Sequence, residues 1–168
     1  MTKRFLKAMP LLAAVFLAAG CGGEAARAQP GGIEVTQAWS RAVPVGAPVA
    51  GGFMTLRNTG AGDDRLVEVR SGAARHVEIH EMRHEDGIAR MRRMDGGLPL
   101  PAGATVELKP GGYHLMFISP EPGAFEAGRK VAATLVLERG GELAVEFEVR
   151  AAGAAAHDAH HAHGDHGH

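Results

Sequence analysis

Two His-x-Met pairs flank a third methionine: His80-Glu-Met82, then Met91, then His114-Leu-Met116. A β-strand turns alternate side chains to one face, so each pair would aim its imidazole and its thioether the same way. A soft thioether beside an imidazole is a ligand set for Cu(I), not for Mg²⁺ or Ca²⁺. Beyond the N-terminal thirty residues the chain has five methionines. Four of them (Met82, Met91, Met94, Met116) share the stretch 76–116 with His76, His80, His84 and His114. All these donors are neutral, so a bound Cu(I) would keep its single positive charge. Thioethers take up no protons, so only the histidines, with an ordinary pKa of about 6.5, would make binding pH-sensitive.

Some of these residues have blander roles. Methionine is a common gap filler, and Met54, in Gly-Phe-Met-Thr-Leu, is read as core, as is Met94. His76 and His84 are read as flanking surface residues. Trp39 is read as a packing anchor on the first strand, with Arg41 as its partner. The string His80-Glu-Met-Arg-His84 is also literally H-E-x-x-H, which makes a zinc metallopeptidase an alternative. That motif works only on a helix, where the two histidines share a face and the glutamate activates water. Val77 and Ile79 alternate as in a strand, and the place of a third metzincin histidine is Arg90. The string is therefore read as a coincidence. No Ser/His/Asp or Cys/His set supplies a nucleophile, and the chain is read as a non-enzyme.

The elements that must hold these residues are short. Apolar-alternating runs at 33–39, 50–57, 65–69, 76–82, 88–94, 105–108, 113–118, 131–138 and 142–149 are separated by Gly- and Pro-rich turns such as Asp95-Gly-Gly97, Pro110-Gly-Gly112 and Arg139-Gly-Gly141. Runs 131–138 and 142–149 form a hairpin around that last turn. Nine short strands without a long helix predict an all-β Greek-key sandwich or barrel.

The ends of the chain read differently. Lys3, Arg4 and Lys7 precede a nine-residue apolar run, Leu11 to Ala19, too short to span a bilayer as a mature helix. Residues 1–28 are read as an export signal. Cleavage before Cys21, in Leu-Ala-Ala-Gly-Cys, would leave a lipid anchor at Cys21. Cleavage after Ala28, in Ala-Arg-Ala, would release a soluble protein. Residues 29–32 are a linker and 33–150 the β domain. Cys21 is the only cysteine, so no disulfide forms within the chain and no thiolate joins a core site. The end, 151–168, is an Ala/Gly/His tail expected to be disordered. Its His157, His160, His161, His163, His166 and His168, mixed with aspartates, form a nitrogen and oxygen chelator suited to Cu(II). A net charge of −1 and 5% aromatic residues argue against a nucleic-acid footprint.

Several segments together resemble a known family, the periplasmic copper chaperones of the PCu(A)C type. They are Ala38-Trp-Ser-Arg41, the run from Ala47 to Gly60, Val77-Glu-Ile-His-Glu-Met82, Gly96-Gly-Leu-Pro-Leu-Pro-Ala-Gly103 and Leu108-Lys-Pro-Gly-Gly-Tyr-His-Leu-Met116. The likeness covers most of residues 33–149. The family's copper motif is a histidine, ten residues, a methionine, about twenty-one residues and a His-x-Met pair. Here ten residues separate His80 from Met91, and twenty-two separate Met91 from His114. The resemblance implies a cupredoxin-like Greek-key fold and a periplasmic location, soluble or lipid-anchored. It implies a Cu(I) site from His80, Met91, His114 and Met116, with Met82 as a fifth candidate and Met94 as an alternative to Met91. It also implies delivery to the dinuclear copper centre of cytochrome c oxidase, through its copper-receiving subunit or another assembly factor. A monomer is expected. A copper storage or resistance protein, or a metal-free adhesion module, is the alternative.

Overall fold

A computed structural model describes residues 32–151. The expected leader with Cys21 and the six tail histidines lie outside the described residues. Ten strands follow one another: β1 (Ile33–Arg41), β2 (Val49–Asn58), β3 (Asp64–Arg70), β4 (Ala74–Glu85), β5 (Ile88–Arg93), β6 (Leu98–Leu100), β7 (Thr105–Leu108), β8 (Tyr113–Pro120), β9 (Lys130–Leu137) and β10 (Gly141–Arg150). Among the described residues there is no helix. The all-β cupredoxin-like expectation holds. All nine expected strands are present, and the tenth, β6, was not expected. It is three residues long and contains Pro99. A proline cannot donate to a ladder and is confined to sheet edges, and β6 is the edge beyond β3.

Hydrogen bonding runs through all ten strands in the order β5-β4-β8-β7-β2-β1-β10-β9-β3-β6. β2 divides its partners. Its first half, Val49 to Gly52, pairs with β8, and its second half, Met54 to Arg57, pairs with β7. The ladder curls back on itself, so that β3 packs on β4 and β6 on β2. Phe117 of β8 meets Phe147 of β10, four places away in the ladder, at 5.7 Å between ring centroids, and Phe125 at 5.0 Å. The core between these layers is filled by the inward members of each alternation, such as Leu135 and Leu137 on β9 and Leu115 and Phe117 on β8. Met54 belongs to it, fully buried.

Two glycines have steric reasons. A Cβ on Gly52 would stand 2.6 Å from the Phe117 ring, so the ring occupies that space instead. Gly97, with φ of +74°, turns the chain from β5 into β6 against the Leu66 carbonyl, a conformation that L side chains resist. Trp39 is an anchor as expected, stacked on Phe53 at 4.5 Å. Its cationic partner, however, is Arg150, 5.4 Å from the ring centre, not Arg41. The parallel pairing of β1 with β10 brings the ends of these two strands together.

Candidate metal centre

Antiparallel pairing places directly opposed residues on one face, with Cα atoms about 4.5–5.5 Å apart. In the β4–β8 pair His80 lies opposite His114, and Glu78 opposite Met116. In the β4–β5 pair Met82 lies opposite Met91, and His80 opposite Arg93. The face is the outer one. The alternate residues Ile79, Leu115 and Phe117 point into the core. The two His-x-Met pairs picked out by spacing and the Met91 added by the family motif, that is His80, Met82, Met91, His114 and Met116, therefore share a face on three adjacent strands. Met94 does not join them. It is three residues beyond Met91, on the opposite side of the alternation, and packs against the core. His84 and His76 are exposed flanking residues.

Exposure grades across the cluster. His114 is buried at 8% and Met91, on the edge strand β5, is 50% exposed. The two imidazole centroids are 5.9 Å apart. His114 Nδ1 lies 3.0 Å from the Gly112 carbonyl, which also accepts the Met82 N–H at 3.0 Å. His80 Nε2 lies 2.8 Å from Glu78 Oε2. Its other nitrogen, Nδ1, is buried without a hydrogen-bond partner, the sole such side-chain nitrogen or oxygen among the described residues. A buried polar atom left unpaired costs about 1–3 kcal/mol, and a metal ion would satisfy it.

Glu78 is the residue that motif reading passes over. Its carboxylate sits between His80, His76 at 3.2 Å and Arg93 Nη1, which donates to it at 2.9 Å. The His80 ring N–H, with His76 and Arg93 behind it, holds this carboxyl below the usual range against the opposing effect of burial. Its only mark in the sequence is its place two residues before His80, on the same strand face.

Glu81 is on the other face. Arg83 Nε at 2.8 Å and Arg92 Nη2 at 3.1 Å engage its two oxygens. Arg83 first, then Arg92 and the Tyr113 hydroxyl, hold its pKa below the ordinary value. The zinc-peptidase alternative is thereby corrected. Residues 80–84 lie within strand β4, and Glu81 is bound to arginines instead of facing the histidines. Among the described residues no group of three His, Cys, Asp or Glu side chains is placed to hold a metal ion. The expected result for Glu81→Gln is a Cu(I) affinity unchanged within about threefold, checked by chelator competition, and no loss of a peptidase activity. Its effect is on stability. A carboxylate with a lowered folded pKa stabilises fully above its unfolded value of about 4.3, and that contribution disappears as pH falls through the folded pKa. The stability gap between wild type and Glu81→Gln should therefore narrow below about pH 4.

The family model "Putative lipoprotein LpqE-like" matches residues 33–149. The chain belongs to the LpqE-like family. This LpqE-like chain is 32% identical over 155 residues to "Putative lipoprotein Lxx21020" of Leifsonia xyli subsp. xyli (strain CTCB07), covering 89% of this chain and 92% of that one. Among solved structures it is similar to the copper-bound PCuAC domain from PmoF2, with a TM-score of 0.61 and 29% identity over 73% of this chain and 95% of that one. It is also similar to the Cu(I) form of DR1885 from Deinococcus radiodurans, with a TM-score of 0.55 and 28% identity over 67% and 74% of the two chains. The LpqE-like domain is thus of the PCuAC type.

Proposed function

We propose that this chain is an exported copper chaperone that binds one Cu(I) on the outer face of β4, β5 and β8 and passes it to an acceptor. The observation that carries this reading is the register. It sets His80 against His114 and Met82 against Met91 on one face, with the His80 Nδ1 atom unpaired. The first ligands are His80, Met91, His114 and Met116, with Met82 beside them. Met91 is preferred to Met94 because Met94 packs into the core. The thioether donors favour Cu(I) over Cu(II), so oxidation of the ion should loosen it. Met91, half exposed on an edge strand, is the ligand an acceptor would displace first, while His114 still holds the ion. The two solved neighbours with copper in their names, a copper-bound PCuAC domain and a Cu(I) form, support the choice of metal.

The acceptor is the dinuclear copper centre of cytochrome c oxidase, and the carrier acts as a monomer outside the cytoplasm. It is either soluble or held by a lipid on Cys21; the lipoprotein names of the family and of its relative support the anchor. The test is transfer. Cu(I)-loaded chain mixed with an apo soluble fragment carrying that centre should lose its copper as the centre's absorption grows in. Copper that stays on the chain against equimolar acceptor would favour storage or resistance instead.

The six tail histidines form a second, separate site for Cu(II), able to hold the ion until a one-electron reductant from outside the chain converts it to the Cu(I) that the core takes. The expected result is that full-length protein binds more Cu(II) than a chain ending at Arg150, and that the excess is lost as pH falls through about 6.5. Equal Cu(II) stoichiometry and strength in the two chains would remove the tail from the scheme.

A further inference from the structure

Granting the Cu(I) site proposed above, we infer that Glu78 sets the tautomer of His80, so that the two histidines take the ion through different ring nitrogens: His80 through Nδ1 and His114 through Nε2. A neutral imidazole has one N–H and one lone pair, and the partner of the first decides which atom offers the second. Arg93 is always charged and donates to Glu78 Oε1 at 2.9 Å. That keeps Glu78 a carboxylate, which can only accept. The 2.8 Å contact from His80 Nε2 to Glu78 Oε2 is therefore an N–H donation, and the lone pair falls on Nδ1. Nδ1 is the atom found buried without a partner. A proton there would be a buried donor with no acceptor, so the alternative tautomer is disfavoured at both ends of the ring.

His114 is held the opposite way. The Gly112 carbonyl, 3.0 Å from Nδ1, can only accept, so Nδ1 carries the proton and Nε2 offers the lone pair. The carbonyl is itself fixed by the Met82 N–H, which ties the His114 ring to β4. Each ring is thus oriented by an acceptor on its far nitrogen, and such partners orient metal ligands and raise their basicity. Glu78 is a positioning residue. It makes its contact through His80, shares the outer face with Met116, and is not itself proposed as a ligand.

The test uses full-length protein labelled with ¹⁵N-histidine, above the ordinary imidazole pKa of about 6.5. Long-range ¹H–¹⁵N correlation spectra are recorded without metal and with one equivalent of Cu(I), which is diamagnetic. Expected without metal are a lone-pair Nδ1 on His80 and a lone-pair Nε2 on His114; on adding Cu(I), these two resonances shift. Glu78→Gln, whose amide can donate or accept, should give a mixed His80 pattern and a Cu(I) affinity lower by about 10-fold. Were that variant not to fold, the wild-type spectra decide alone. A lone pair on His80 Nε2, or a Cu(I)-induced shift larger at that atom than at Nδ1, overturns the inference. If His80 stays silent while His114 and the Met116 methyl respond, Cu(I) binds without His80 and the inference falls while the copper site stands. If no histidine or methionine of the cluster responds, the copper site itself falls and the inference with it.

Discussion

Replacing His114 and Met116 together by alanine should lower the Cu(I) affinity of a chain ending at Arg150 by more than about 100-fold, beyond the loss expected from removing a supporting partner alone. All ten strands lie before that end point, and the tail histidines are gone, so the core site is read by itself. The double change removes one imidazole and one thioether from β8, the strand on the far side of β4 from β5. What remains is His80 with Met82 and Met91 on the far side, open to solvent through the half-exposed Met91. Both replaced side chains face outward, away from Leu115 and Phe117, so the fold should persist with a modest loss of stability. Chelator competition gives the affinity, and thermal unfolding of the same samples shows that the sheet is intact. An affinity within a few-fold of wild type in a folded double variant would remove the proposed site.

The largest effect on stability is expected one residue further along β8. Phe117 is fully buried and its ring touches those of Phe125 and Phe147. It joins the layer carrying the metal face to the layer carrying β10. Phe117→Ala should cost about 3–5 kcal/mol through lost burial and the cavity left behind. Against the total of about 5–15 kcal/mol typical of a domain, that is a drop in melting temperature of roughly 10–20 °C. Thermal unfolding followed by circular dichroism measures it. Phe117→Leu, closer in volume, should cost markedly less. A melting temperature within a few degrees of wild type for Phe117→Ala would mean that the ring does not join the layers.

Much of this arrangement is legible in the sequence because β structure writes its periodicity into short windows. The alternation in 131–138 and 142–149 and the turn at Arg139-Gly-Gly141 specify a hairpin, and β9 and β10 pair through it. The two-residue spacing of each His-x-Met pair specifies a shared face. What a window cannot show is which strands lie side by side. That Met91 falls opposite Met82, while Met94 turns into the core, depends on the β4–β5 register. That Trp39 meets Arg150 instead of Arg41 depends on a parallel pairing between the first and last strands. β6 escapes because Leu98 and Leu100 are buried around an outward Pro99, a pattern too short to stand out and broken by a residue usually taken to end strands. Glu78 escapes for another reason. Carboxylates are common on outer strand faces, and only its contacts with His80 and Arg93 distinguish this one.

The central claim is a Cu(I) site of mixed sulfur and nitrogen donors on the outer face of β4, β5 and β8. The most direct measurement is anaerobic Cu(I) titration of the chain ending at Arg150, with X-ray absorption at the copper edge to count neighbours. The expected result is one tightly bound Cu(I) with both imidazole nitrogen and thioether sulfur in its first shell. A chain that binds no Cu(I), or binds it with nitrogen and oxygen neighbours alone, would contradict the claim.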